Sequence, residues 1–364
     1  MNKLLKNKAT QIRNACWSSL RVLFLASAAW VSAHGVALAQ GAGGSGSTAG
    51  PKSVSAAEWA KIVEAAKKED SVTIYSPQGV VVLNELGEKF KKEYGITLKV
   101  VRQGDFESWP KIDAEFSTGR GIADVFVSAD EGVIKEHHSK GYYVAPKGPA
   151  FDNPVYDRAT RIPQGTYFES NAFVAALGWN KELFSTGLKD YGDVLKPELA
   201  GKIGVANPST QTFVDFYMFL ESNYGSDFLT RLAAQRPRIY PGALPIGQAV
   251  TSGEISAFVY GQPLIDEQKK GAPVDWTLPK KVWGARFWGQ ILKTAPSPNA
   301  AQVLANFMVT PAGQEAIARM TASVLPNIPG TLTTTNNVHR QDLTKLTPDA
   351  IKAYQEKWRT LFIK

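Results

Sequence analysis

Apolar and polar positions along this chain follow two rhythms, an alternation over short runs and a spacing of three to four over longer ones. Their succession predicts strands alternating with helices. Residues 71–76 (SVTIYS) predict a strand broken by Pro77-Gln78-Gly79, followed by a helix with Val82, Leu86 and Phe90 on one face and a stop at Gly95. Residues 96–101 predict a second strand, Ile112 and Phe116 a short helix, and residues 123–128 a third strand that runs into Ala129-Asp130. Before this series, Ser55 and Glu58 have the spacing of a capping box, and Trp59, Ile62, Val63 and Ala66 supply an apolar helix face. Such alternation predicts parallel strands covered by helices.

The rhythm lapses over residues 146–164, rich in Pro and polar residues, and resumes with an apolar strand at 173–180. A second strand–turn–helix unit follows: an apolar run at 202–206, a polar turn at 207–212, and a helix carrying Phe213, Phe216, Tyr217 and Leu220 up to Gly225. Residues 255–260 predict a buried strand, with further strands at 274–278 and 285–292. From Asn299 the pattern is helical: Ala301, Leu304, Phe307 and Met308 form one face, Thr310-Pro311 caps a following helix, and Thr347-Pro348 opens a last one with Ile351, Tyr354 and Trp358 on its buried side. Two α/β series in about 310 residues predict two lobes with a cleft between them.

Ligands of open α/β sheets sit beyond the carboxyl ends of the strands. Four turns follow predicted strands and carry polar side chains: Ser76-Pro77-Gln78, Ser128-Ala129-Asp130, 207–212, and Tyr260-Gly261-Gln262. The 207–212 turn holds Ser209, Thr210, Gln211 and Thr212 and no carboxylate. At a helix N-terminus, free backbone N–H groups and the positive dipole end attract anions. An ordinary cap would use the same residues, so it is the coincidence of four such turns that points to binding.

Several segments also resemble a known family. Residues 177–184 (LGWNKELF) are similar to its strand-to-helix stretch, 195–206 (LKPELAGKIGVA) to the start of its second lobe, and 246–254 (IGQAVTSGE) to the helix before its second-lobe strand. Residues 297–301 and 310–315 are similar to its C-terminal helical pair. In order and spacing, over about 72–319, they resemble the bacterial extracellular solute-binding proteins of ABC importers, in the branch of the ferric-ion-binding proteins and their organic-solute relatives. The resemblance implies a two-lobed periplasmic-binding-protein fold, type II-like, each lobe a mixed sheet covered by helices and joined by hinge strands. It places 53–170 plus about 279–364 in lobe 1 with the C-terminal helices, and about 171–278 in lobe 2. It also implies a protein that closes on a small molecule and delivers it to an inner-membrane permease. The family's ligands include ferric ion, phosphonates, sugar phosphates, thiamine, polyamines and organic acids.

The residues narrow that range. Ferric-ion-binding members resemble one another in adjacent tyrosines after the second-lobe strand, where this chain has Val259-Tyr260-Gly261-Gln262, and many place a His where this chain has Ser76-Pro77-Gln78. Hard anionic oxygens for ferric ion would have to come from Tyr240, Tyr260 and Asp130 together. A cationic ligand calls for several carboxylates, and the turns supply Asp130 alone. A small organic anion suits them better. Ser76, Ser128, Ser209, Thr210 and Thr212 offer hydroxyls, Gln78, Gln211 and Gln262 offer amides, Arg286 offers a bidentate cation, and Tyr240, Phe213 and Trp288 offer walls. His137-His138, adjacent on a predicted helix end, point apart and read as solvated rather than metal-binding.

Charge and the N-terminus fit export. Lys3, Lys6, Lys8, Arg13 and Arg21 precede or open an apolar stretch from Val22, and Ala37-Leu38-Ala39 offers a cleavage site, so residues 1–39 read as a signal peptide and 40–52 as a Gly/Ser-rich linker to a periplasmic protein. The net charge of +8 falls to about +3 without those five basic residues, too mild for a nucleic-acid partner. The lone cysteine, Cys16, lies in the leader, which leaves no thiol for metal or nucleophilic chemistry in the mature chain. No Gly-x-Ser-x-Gly elbow is present, and beyond the leader the histidines are His137, His138 and His339. The reading is therefore a monomeric binding protein with no cofactor and no catalysis; an exported hydrolase and a sensor input are the competing classes.

Overall fold

The computed structural model describes residues 53–363; the signal-peptide and linker expectations lie outside them. Helix α1 (Ala56–Glu69) begins at Ser55, whose hydroxyl accepts the Glu58 N–H. Strand β1 (Ser71–Ser76), helix α2 (Val80–Tyr94) and strand β2 (Thr97–Arg102) follow as the periodicity predicts. The chain leaves α2 through Gly95, whose φ of 78° suits glycine and whose N–H reaches the Lys91 carbonyl. Next come α3 (Asp105–Thr118), β3 (Val125–Ser128), α4 (Glu131–Ser139), β4 (Tyr143–Val144), the one-turn α5 (Arg158–Arg161) and β5 (Tyr167–Ala172).

The second series runs β6 (Ala176–Asn180), β7 (Ile203–Ala206), α6 (Gln211–Tyr224), α7 (Phe228–Ala234), β8 (Arg238–Tyr240), α8 (Ala243–Thr251), β9 (Ala257–Gly261), α9 (Ile265–Lys269) and β10 (Val274–Thr277). The chain then returns through β11 (Arg286–Leu292), α10 (Pro298–Met308), α11 (Pro311–Ile317), β12 (Ala322–Ser323), β13 (Thr333–Thr334) and α12 (Pro348–Phe362).

Two sheets result. The first has the order β13-β12-β5-β11-β3-β1-β2, with β4 also paired to β11; the second has the order β10-β6-β9-β7-β8. Strands β1, β2 and β3 are parallel, as the alternation predicts, while β11 lies antiparallel to β3 and β5. Each sheet has its own apolar core. One gathers Leu83, Leu86, Phe90, Val125, Val127 and Phe307; the other gathers Val205, Phe216, Tyr217, Phe258, Trp283 and Trp358. Of the apolar stretch predicted as one strand at 173–180, only 176–180 is strand, as β6 of the second sheet. Its first residues, 173–175, cross from β5 to β6 beside the returning segment 283–285, the Phe173 N–H reaching the Ala285 carbonyl at 2.8 Å and the Ala175 N–H the Trp283 carbonyl at 3.0 Å. Gly284 makes that pairing possible: a Cβ there would lie 2.1 Å from the Phe173 carbonyl oxygen.

The last helix corrects one expectation. The family resemblance places it with lobe 1; here α12 packs on α6 and α7 of the second series. Trp358 lies against Tyr217, and Tyr354 and Lys357 both reach Glu221. The apolar stripe of α12 goes where the larger aromatic surface is, which sequence order does not determine.

Candidate functional site

A cleft of about 620 Å³ lies between the two sheets. From the first sheet it is lined by Pro77 after β1, Arg102 at the end of β2, the first turn of α3 (Gly104 to Glu107) and Ala129 after β3. From the second come Ser209, Thr210, Thr212 and Phe213 around the start of α6, the segment 241–245 that opens α8, and Tyr260 and Gln262 at the end of β9. Phe173, Ala285 and Phe287, from the crossing segments, form its back.

Three helices therefore present their N-terminal turns to one space. The starts of α6 and α8 hold no acidic residue, and α8 is preceded by Gly242, whose lack of a side chain leaves its first N–H groups uncapped. At α6, Thr210 is the cap and accepts the Phe213 N–H at 3.4 Å. At α3, Glu107 folds back to accept the Gly104 N–H at 3.2 Å, which satisfies that end from within. Partial positive charge at such ends, beside the Arg102 guanidinium, makes the cleft suited to an anion.

The walls are apolar. Phe106 is 77 % exposed on the first-sheet side and Leu244 60 % exposed on the second, and both line the cleft. The Tyr260 ring is wedged among Phe173, Phe213, Phe216 and Trp283 at centroid distances of 5.4, 5.1, 5.0 and 5.7 Å. Burial raises its phenol well above the ordinary range, so it stays protonated.

Of the residues picked out by sequence, the cleft brings together Ser209, Thr210, Thr212, Tyr260 and Gln262. Gln78 and Gln262 line a smaller adjoining cavity of about 120 Å³, where the Gln78 side-chain N–H reaches Asn171 at 3.1 Å. Ser76 and Ser128 are buried behind their turns. The Ser76 hydroxyl accepts the Gln78 N–H, and the Ser128 hydroxyl accepts the Asp130 N–H. Asp130 is the cap of α4, accepting the Val133 N–H at 3.2 Å; burial raises its carboxyl above the usual range while the Val133 and Gly132 N–H groups oppose the rise. Gln211 is buried with its Oε1 turned to Gly132 at the start of α4.

Three candidates lie elsewhere. Tyr240 turns outward and donates to Glu254 at 2.7 Å, because the short β8 is an edge strand whose side chain finds a carboxylate on the surface. Arg286 is a structural cation. It donates to Glu169 at 2.7 Å and to the carbonyls of Thr335 and Val338, while Glu169 also holds Arg161 at 2.9 Å. Trp288 is fully buried in the first-sheet core, edge-on to Tyr167. Both Arg286 and Trp288 sit on β11, a central strand whose neighbours β3 and β5 take up its side chains. His137 is also not solvated: it is buried, stacked on Tyr142 and 3.2 Å from Asp113, and burial lowers its pKa. His138 instead meets the Thr166 hydroxyl, so the two rings do point apart.

The largest omission is the turn after β2. Arg102, Asp105 and Phe106 follow a predicted strand just as the four chosen turns do, and the rule applied there would have found them. The 241–245 segment follows a three-residue strand too short to predict from alternation.

This geometry, two α/β lobes flanking a cleft at helix N-termini, is the fold of the periplasmic binding proteins. A model described as bacterial extracellular solute-binding protein matches residues 72–320, and the chain belongs to that family. Among solved structures, the substrate-binding protein of an ABC transporter from Agrobacterium tumefaciens is similar at a TM-score of 0.67 and 16 % identity, covering 82 % of this chain and 97 % of that one. AfuA from Actinobacillus pleuropneumoniae, with fructose-6-phosphate bound, gives 0.64 and 19 %, covering 80 % and 98 %. Iron-bound HitA from Pseudomonas aeruginosa gives 0.62 and 18 %, covering 80 % and 99 %. No match was found among curated proteins. These likenesses establish the fold; the ligands belong to those proteins.

Proposed function

We propose that this chain captures a small organic anion, a carboxylate, phosphonate or phosphate ester, in the periplasm and delivers it to an inner-membrane ABC permease, without turnover. The observation that carries the reading is the convergence of the acid-free N-termini of α6 and α8 with Arg102 on one cleft. The aromatic and aliphatic walls give the anion a place for an apolar body. The site residues on this reading are Ser209, Thr210, Thr212, Tyr260 and Gln262 from one lobe and Arg102 from the other. Against a ferric-ion reading, the cleft lining includes a single tyrosine.

The mechanism follows from the donors' division between lobes. A ligand that touches both favours the closed arrangement by its differential affinity and by no more. Native mass spectrometry of the protein as purified, followed by calorimetry with carboxylates, phosphonates and sugar phosphates, tests the assignment. A retained organic anion, or micromolar binding of one, supports it. Tight binding of ferric ion with no response to any anion overturns it.

A further inference from the structure

Charge in the cleft is nearly balanced. Arg102 is the one guanidinium in the lining, and the Glu107 carboxylate stands on the same lobe. A phosphate ester brings close to two negative charges at pH 7. One of them would meet Arg102, and Glu107 would repel the other. A ligand with a single negative charge suits this lining better.

Groups that could hold a ligand's hydroxyls are few. A bound hydroxyl needs an acceptor for its proton. Asp105 spends its Oδ2 on the Ala129 N–H at 3.1 Å, and its Oδ1 has no open surface. Glu107 spends one oxygen on the Gly104 N–H, and Thr210 accepts the Phe213 N–H. The other neutral polar side chains of the lining, Ser209, Thr212 and Gln262, all stand on the second-sheet lobe. A polyol caught between the lobes would have little to bond on its first-lobe side, and unpaired hydroxyls in a closed cleft are costly.

Apolar surface is plentiful by comparison. Phe106 lies in the first turn of α3, flanked by Asp105 and Glu107, and is largely exposed. Its aromatic neighbour is Trp109, edge-on at 6.3 Å, and the helix gains no core contact from it. From the other lobe come Phe213, half-buried and edge-on to Tyr260, and the exposed Leu244. Phe173 and Phe287 close the back. An exposed apolar side chain is ordinary by itself; here two lobes contribute them to one space.

Resting on the anion reading above, we infer that the ligand is a singly charged aromatic acid, an arylcarboxylate. Its carboxylate meets Arg102 and the α6 and α8 N-termini, and its ring lies between Phe106 of one lobe and Phe213 and Leu244 of the other. A ring gains contact energy from phenylalanine rings beyond the area it buries, and being rigid it loses little freedom on binding. Phe106 is thereby a specificity-determining residue. Its ring is the main apolar surface that the first lobe offers the ligand.

Calorimetry on the full chain at about pH 7.5 tests this with five probes. Benzoate and 2-naphthoate carry the ring, cyclohexanecarboxylate has a saturated body, acetate has the head alone, and fructose 6-phosphate is a dianionic polyol. The better aromatic probe should bind about tenfold tighter than cyclohexanecarboxylate and at least about a hundredfold tighter than acetate or fructose 6-phosphate. Phe106→Leu keeps an apolar side chain and should abolish most of the preference for the aromatic over the saturated ring, while Phe106→Trp should retain it. If fructose 6-phosphate or cyclohexanecarboxylate binds as well as the aromatic probes, or if Phe106→Leu keeps the preference, the aromatic assignment is wrong and the anion reading stands. If no probe binds, the anion reading fails with it. Phe106 is exposed, so its variants test binding without disturbing a core.

Discussion

Replacing Asp105 by Asn makes a quantitative claim about stability that needs no ligand. In the unfolded chain an Asp titrates near its ordinary value; in the folded protein burial pushes Asp105 up to about 7. The folded state therefore holds a proton that the unfolded state has lost over the interval between those values. A carboxyl raised in this way contributes stability that is complete below the unfolded pKa and is lost as pH rises through the folded one. The slope across that interval is about 1.4 kcal/mol per pH unit, and the whole interval amounts to roughly 4 kcal/mol as an upper bound. Asn keeps an oxygen for the Ala129 N–H and carries no charge, so it removes the titration without removing the bond.

The assay is urea unfolding of both chains at about pH 5 and about pH 8, with the wild-type change compared with that of Asp105→Asn. Other raised carboxyls, Asp124 and Asp130, titrate in both chains and largely cancel in the difference. The expected outcome is that Asn stabilises the protein relative to Asp at the higher pH by about 2–3 kcal/mol more than at the lower. Parallel behaviour at the two pH values would refute both the enclosure of this carboxyl and the proton placed on it.

Three further outcomes follow. Thr210→Ala removes the α6 cap and one cleft hydroxyl; it should cost about 1 kcal/mol in unfolding free energy and weaken ligand binding in calorimetry while the circular dichroism spectrum stays native. Glu169→Gln leaves Arg161 and Arg286 without their shared carboxylate in a buried setting and should lower unfolding free energy by about 3–5 kcal/mol, read by denaturant titration, although neither arginine touches the cleft. Gly284→Ala drives a methyl into the Phe173 carbonyl at the crossing segments and should destabilise by about 1–3 kcal/mol; an unchanged melting temperature would show that the two segments are not held as closely as described.

The fold was more legible than the site, for a physical reason. Strands β1, β3, β7 and β9 are largely buried runs flanked by turn residues, and their helices carry an apolar face that repeats along several turns, so each element announces itself locally. A side chain's destination is set by what lies opposite it in space. Arg286 and Trp288 looked like ligand groups on a late strand; the structure makes β11 a central strand, and its residues go to Glu169 and Tyr167. His137 looked like a solvated helix end and is stacked under Tyr142, a partner five residues on but across a turn. The polar turns succeeded where they touch a helix N-terminus, because cap chemistry is local too: Thr210 was visible as a cap before it was visible as a wall of the cleft.

On the anion reading proposed above, the distribution of charge across the cleft bears on how closure would be driven. The lobe of the second sheet presents neutral donors and acid-free helix ends, while the ionisable groups Arg102, Asp105 and Glu107 all stand on the other lobe. An anion meeting the second lobe alone finds donors still open to water, whose net worth is small. The same anion with both lobes shut against it has Arg102 on one side and the α6 and α8 N-termini on the other, in a space from which the aromatic walls exclude water, where each interaction is stronger. On that reading, this difference shifts the population. Moving from 1:99 to 99:1 in favour of closure requires about 5.5 kcal/mol of preference. Micromolar binding supplies roughly 8 kcal/mol in all, so most of the affinity must come from contacts that exist only when the lobes meet. Arg102→Gln should accordingly reduce affinity and also the ligand-induced compaction seen by small-angle X-ray scattering. A variant that loses affinity yet closes fully at saturation would place the driving contact elsewhere in the cleft.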